Sequence, residues 1–175
     1  TTRMKNAWYY TGGGLEVLRE LFKKYNIVNF PGGNSNTQMG GWFRKEVKTL
    51  EDLKGLKFRI PGFGGEIFSR LGTIPQNIPA SDVYSSLEKG TIDATEFVGP
   101  YDDEKLGFQQ VAPYYYTPGF WEGASSLSFY VNQDEWNKLP ELYKIIFERA
   151  AAEANQWMIA KYDSDNPAAL ATLIK

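Results

Sequence analysis

The stretch Leu56-Lys57-Phe58-Arg59-Ile60, followed by Pro61-Gly62-Phe63-Gly64-Gly65 and, further on, by Thr91-Ile92-Asp93-Ala94-Thr95-Glu96-Phe97-Val98, decides the fold class. Leu56 to Ile60 alternates as a strand does. The Gly-rich turn opens a helix from Glu66 to Leu71, which Gly72 closes. Thr73 to Asn77 reads as a short strand or extended link. Ser81 and Asp82 begin a further helix that ends near Lys89, with Gly90 as its stop. Ile92 to Val98 then reads as a strand. Strand, helix, strand, helix, strand over residues 56 to 98 predicts an α/β layer with parallel pairing. In such layers ligands sit beyond the carboxyl ends of the strands. Arg59 and Glu96 both fall near those ends.

Working outward, Leu15, Leu18, Leu21 and Phe22 have helical spacing, after the loop Gly12-Gly13-Gly14. Ile27 to Phe30 predicts a short strand, Pro31 to Asn36 a turn, and Gly40 to Glu46 a further strand. Thr49 to Gly55 predicts a helical turn, with Thr49 as N-cap and Gly55 as stop. Gly99 to Phe120, with Pro100, Pro113 and Pro118, reads as loop. Ser126 to Val131 alternates as a strand, and Asn132 caps a turn of helix. Leu139 to Lys161 predicts a long helix whose apolar stripe is Leu142, Ile145, Ile146, Ala150, Ala154, Trp157 and Met158. Pro167 is expected to start a last helix.

Composition narrows the chemistry. Among 175 residues 42% are hydrophobic and 23% charged, the balance of an ordinary globular protein. The net charge of −2 with scattered Lys and Arg argues against a nucleic-acid partner. No apolar run approaches membrane-spanning length. Thr1-Thr2-Arg3-Met4-Lys5 is not a signal peptide, since no apolar region follows. The chain has no cysteine and no histidine. Disulfides, thiol catalysis and imidazole acid–base chemistry are therefore excluded. Any metal site must use oxygen donors, which favours hard cations such as sodium, calcium or magnesium.

Four residues stand out. Arg59, near a strand end before a Gly-rich turn, either aims its planar fork at a carboxylate or forms a surface ion pair. Glu96 interrupts an apolar run; it either needs a buried partner or lies exposed at the strand end. Glu122, after Phe120 and Trp121, and the loop residue Gln38 carry the same two readings. As a carboxylate pair, Glu96 and Glu122 also suit a hydrolase. The Tyr114 to Tyr116 run and Trp121 pack a core by default, or offer an aromatic face to a partner. Asp102-Asp103-Glu104 reads as a solvated acidic loop.

Taken together, Gly40-Gly41-Trp42-Phe43, Glu51-Asp52-Leu53-Lys54-Gly55-Leu56-Lys57-Phe58-Arg59-Ile60, Thr91 through Asp103, and Tyr115-Tyr116-Thr117-Pro118-Gly119-Phe120-Trp121-Glu122 resemble one family. It is that of the solute-binding subunits of tripartite ATP-independent periplasmic (TRAP) transporters, the DctP-like group, in its 2-oxo acid or lactate branch. The resemblance implies a periplasmic-binding-protein-like (type II) two-lobed α/β fold, of which this chain holds mostly the second lobe and part of the first. Residues 1–98 are then mainly the second lobe, 99–131 a crossover segment serving the first lobe and the cleft, and 132–175 a truncated helical C-terminal part. Family members extend beyond both ends, so a fragment is expected. The resemblance assigns Arg59 to the ligand carboxylate. It assigns Gln38, Glu96, Phe97 and Glu122 to a sodium or calcium ion, with Gln38, Phe97 and Glu122 also beside the ligand. Phe97 stands where the branch has Trp, in Glu96-Phe97-Val98-Gly99-Pro100. The implied role is non-catalytic transport in the periplasm, with a small organic acid and the TRAP membrane subunits as partners. A homodimer of the full-length protein is allowed.

Overall fold

The computed structural model describes residues 1–174. They form two compact units, each assembled from separated stretches: residues 1–36 with 124–164, and residues 37–123 with those from Asp165 on. Among the described residues no helix is long and apolar enough to cross a membrane.

The first unit is built on an antiparallel pair, β1 (Ile27–Asn34) and β7 (Ser126–Asn132). Val28 and Phe30 of β1 pack with Trp136 and Ala151 into one core cluster, supported by Phe147. Two helices precede β1, α1 (Thr2–Thr11) and α2 (Gly14–Lys23). β1 runs on through Pro31, Gly32 and Gly33, where a turn was expected. A register shift between Pro31, opposite Ser128, and Gly33, opposite Leu127, leaves Gly32 as the extra residue of a bulge. After β7 comes α6 (Gln133–Lys138), capped by the Asn132 side chain, which accepts from the N–H groups of Asp134 and Glu135 at 3.0 and 3.2 Å. The last helix, α7 (Glu141–Leu173), contains Pro167 rather than starting anew there. Its expected apolar stripe is only partly right. Leu142, Ile145, Ile146 and Trp157 are exposed, and the buried face carries Ala151 and Asn155. A two-stranded sheet is too narrow to cover a broad stripe on a helix of this length.

The second unit holds a five-stranded mixed sheet in the order β4-β3-β5-β2-β6. These are β2 (Gly41–Phe43), β3 (Lys57–Arg59), β4 (Ile74–Gln76), β5 (Ala94–Thr95) and β6 (Tyr114–Tyr116). β3 pairs in parallel with β4 and β5, as the pattern over 56–98 predicts. β2 is antiparallel to both β5 and β6. The connections carry α3 (Gly62–Arg70) and α4 (Val83–Glu88). Neighbouring side chains alternate between the two faces. Trp42 and Tyr115 join Val83, Leu87, Ile92 and Phe108 on one face, and Phe43, Phe58, Ala94 and Tyr116 join Ile60 and Phe68 on the other.

Two local expectations change. The segment 99–120 is not simply loop: it contains α5 (Pro100–Leu106) and β6. Pro100 sits at the first helical position, where its missing N–H costs nothing. At the turn before Gly55, Asp52 reaches back, its carboxylate accepting from the N–H groups of Lys48 and Thr49 and from the Thr49 hydroxyl at 2.8–3.0 Å. The cap is thus the acid rather than the Thr49 hydroxyl.

Gly41 is held at φ +114°, and a Cβ there would lie 2.5 Å from the Thr95 carbonyl oxygen. That carbonyl is backbone in the adjacent strand and cannot step aside. Gly41→Ala is therefore expected to destabilise the protein by about 2–3 kcal/mol, read as a lowered urea midpoint at unchanged m-value.

Candidate functional site

Arg59 ends β3, and Glu96 follows directly on β5. Parallel pairing sets Arg59 against Thr95, and the Glu96 N–H donates to the Arg59 carbonyl at 3.0 Å. The two side chains therefore emerge together at the carboxyl ends of adjacent strands. The strand predicted over 92–98 is only Ala94–Thr95; it ends before Glu96 and Phe97, although the Glu96 N–H still bonds to β3.

Arg59 Nη1 donates to Glu96 Oε1 at 2.7 Å and to the Glu96 carbonyl at 3.0 Å. Its Nε donates to the Ile78 carbonyl at 3.4 Å. The guanidinium also lies 5.7 Å from the centre of the Phe97 ring. These bonds engage Nε and Nη1 of the fork. Glu96 is buried, with its side chain 5% exposed. Burial pushes its carboxyl up to about 7; Arg59 opposes that rise, and the charges of Glu122 and Asp103 add to it.

Gln38 and Glu122 are brought to the same place by backbone bonds. The Gln38 N–H donates to the Glu122 carbonyl at 3.2 Å, and the Gln38 carbonyl accepts from Gly119 N–H at 3.0 Å. The Met39 N–H donates to the Val98 carbonyl at 3.2 Å. The segment 38–39 thereby ties the 119–122 loop to the end of β5. Gly119 is needed for that closeness, since a Cβ there would meet the Met39 and Gln38 carbonyl oxygens at 2.6 and 2.8 Å. Gln38 is buried and Glu122 half-buried.

Sequence reasoning missed Asp103. Read as part of a solvated acidic run, it is 1% exposed. Its Oδ2 accepts from the Trp42 indole at 3.0 Å and the Tyr115 hydroxyl at 2.8 Å, while Oδ1 accepts from Val98 N–H at 3.3 Å. Trp42 and Tyr115 stack with ring centres 3.8 Å apart. Burial lifts the Asp103 carboxyl to about 6 against these lowering bonds. The signal was Gly99-Pro100, a helix start that carries Asp103 back toward the end of β5.

The donors around Glu96 and Glu122 are all oxygens. Among the described residues no three acidic side chains gather into a cage. A cation here would take two carboxylates together with neutral amide and carbonyl oxygens. Carboxylate, amide and carbonyl oxygens are the donors that a hard cation prefers, so this donor set fits one.

The mixed α/β sheet thus carries an Arg and carboxylate oxygens at the carboxyl ends of its parallel strands. The family of bacterial extracellular solute-binding proteins, family 7 (DctP), matches residues 1–175, and the chain belongs to that family. It is 50% identical to the monocarboxylate 2-oxoacid-binding periplasmic protein of Nostoc sp., over 96% of this chain and 46% of the relative. It superposes with a TM-score of 0.95 on a TRAP transporter solute-binding protein from Bordetella bronchiseptica, 57% identical over 99% of this chain and 52% of the other. That protein is a mixed-occupancy dimer with copurified calcium and picolinate in its occupied site. A TRAP periplasmic solute-binding protein from Pseudoalteromonas atlantica with bound sodium and pyruvate matches at a TM-score of 0.91 and 48% identity, over 97% of this chain and 51% of that one. The chain thus spans about half the length of these relatives.

Glu96 gives a testable pH signature. Its folded value, about 7 against the usual 4.5, lies above the unfolded one, so its stabilising contribution is complete below about pH 4.5 and is lost as pH rises through about 7. In chelator-treated protein, the unfolding free energy should fall between pH 5 and pH 8 by up to roughly 3 kcal/mol on this account. Glu96→Gln should flatten that fall, as read from urea titrations at the two pH values.

Proposed function

We propose that the complete protein is the extracytoplasmic receptor of a TRAP transporter and binds a small monocarboxylate, a 2-oxo or 2-hydroxy acid, together with a sodium or calcium ion. It binds and releases its ligand without chemistry and delivers it to the membrane subunits from the periplasm. The observation that carries this reading is the buried Arg59–Glu96 pair at 2.7 Å, set at the carboxyl ends of adjacent parallel strands, with a second carboxylate, Glu122, close enough to raise the Glu96 carboxyl.

Arg59 orients the ligand carboxylate through charge-assisted hydrogen bonds. Gln38, Glu96, Glu122 and the Phe97 carbonyl hold the cation, and Gln38, Phe97 and Glu122 also border the ligand. When bound, the cation supplies positive charge and takes the ligand's carboxylate and adjacent oxygen as a chelate. Electrostatics explain why such a site needs it. The negative charge of Glu96 and Glu122 repels an organic anion, and a bound cation would offset it. Phe97 in place of the branch's Trp leaves the backbone carbonyl intact and changes only the wall of the pocket.

Calorimetry on the full-length protein tests this with pyruvate as probe. Arg59→Ala should weaken pyruvate binding by about 100-fold or more, the worth of a charged hydrogen-bonded contact. Glu122→Gln should weaken calcium binding, and pyruvate binding with it. If exhaustively chelated wild type binds pyruvate as tightly as the calcium-loaded form, the role of the cation is wrong.

A further inference from the structure

Resting on the receptor reading above, we propose that Asp103 is a positioning residue of the cation site: it fixes the Phe97–Val98 peptide so that the Phe97 carbonyl faces the ion.

The argument starts from the peptide bond. The Phe97 carbonyl and the Val98 N–H belong to one planar unit and point in opposite directions across it. A group that captures the N–H therefore sets the direction of the carbonyl, whatever side chain stands at 97. Asp103 Oδ1 is that group, 3.3 Å from Val98 N. The carboxylate cannot swing away, because Oδ2 is held by the Trp42 indole and the Tyr115 hydroxyl. Those donors are themselves rigid: Trp42 is 2% exposed and lies flat on Tyr115, with 10° between the ring planes. The following carbonyl, of Val98, accepts from Met39 N–H, so the segment is pinned from the Gln38 side as well.

The same bond acts electronically. An N–H that donates to a carboxylate polarises its peptide and places more negative charge on the carbonyl oxygen, which makes that oxygen a better cation donor. Such outer partners of ligands typically change metal affinity by about 10–100-fold when removed. The arrangement also gives a reason for burying this carboxylate: its charge is spent on three N–H and O–H donors, one of which belongs to a ligand's own peptide.

Phe–Val occurs once in these 175 residues, at 97–98. Full-length protein labelled with carbonyl-¹³C Phe and ¹⁵N Val therefore reports this peptide selectively, and Phe97→Trp, which abolishes the signal, assigns it. Calcium is titrated alone, without organic acid. In wild type the Val98 ¹⁵N resonance should move downfield as the Phe97 carbonyl takes the ion; a resonance that stays still while calcium binds overturns the proposal without any variant. Asp103→Asn should shift that resonance already in metal-free protein and lower calcium affinity by about 10–100-fold. Val28→Ala, a core truncation in the first unit, should lower the melting temperature and leave calcium affinity unchanged. Unchanged calcium affinity in a folded Asp103→Asn protein, beside a loss in Glu122→Gln, sinks the role of Asp103 alone. If Glu122→Gln also binds calcium as wild type does, the receptor reading fails with it.

Discussion

The parallel register of β3 on β5 is the constraint on which the rest of the second unit depends. It sets Arg59 opposite Thr95 and lets Glu96 N–H reach the Arg59 carbonyl, so the guanidinium and the carboxylate leave the sheet side by side. A slip of one residue would send one of them to the opposite face. An unpaired carboxylate buried there would be costlier still; Arg59 at 2.7 Å offsets only part of the cost of burying Glu96. The ion pair therefore depends on the register.

Around that pair the site is assembled by main-chain bonds more than by side chains. The segment at Gln38 and Met39 joins the 119–122 loop on one side to the end of β5 on the other. Gly119 permits the closest approach, and Gly41 lets β2 come against Thr95. On the sheet face that carries Trp42 and Tyr115, the stacked rings hold Asp103 against the same strand end. An aromatic run that reads as simple core thus has a polar function at one edge, since the Trp N–H and Tyr O–H need partners when buried.

Charge balance links this geometry to the family. Glu96 is buried beside Arg59, and burial raises its carboxyl to about 7. The structural relatives with calcium and picolinate, or sodium and pyruvate, show two proteins of the same fold that bind both a metal and an organic acid.

Much of this was legible in the sequence. Alternation over Leu56–Ile60 and the glycine stops at Gly72 and Gly90 determined a parallel α/β layer, because period-2 and helical patterns are local properties. The lack of His and Cys determined that any metal would meet oxygen donors. Arg59, Glu96, Glu122 and Gln38 were picked out by residue type and family resemblance. Only the tertiary structure decided that Glu96 is buried against Arg59, that Asp103 is a buried acceptor rather than a solvated acid, and that Leu142, Ile145 and Trp157 are exposed on a helix whose stripe suggested burial. The physical reason is common to all three. Burial and pairing depend on what distant segments bring alongside, such as Trp42 and Tyr115 to Asp103, and no local pattern of residues encodes that.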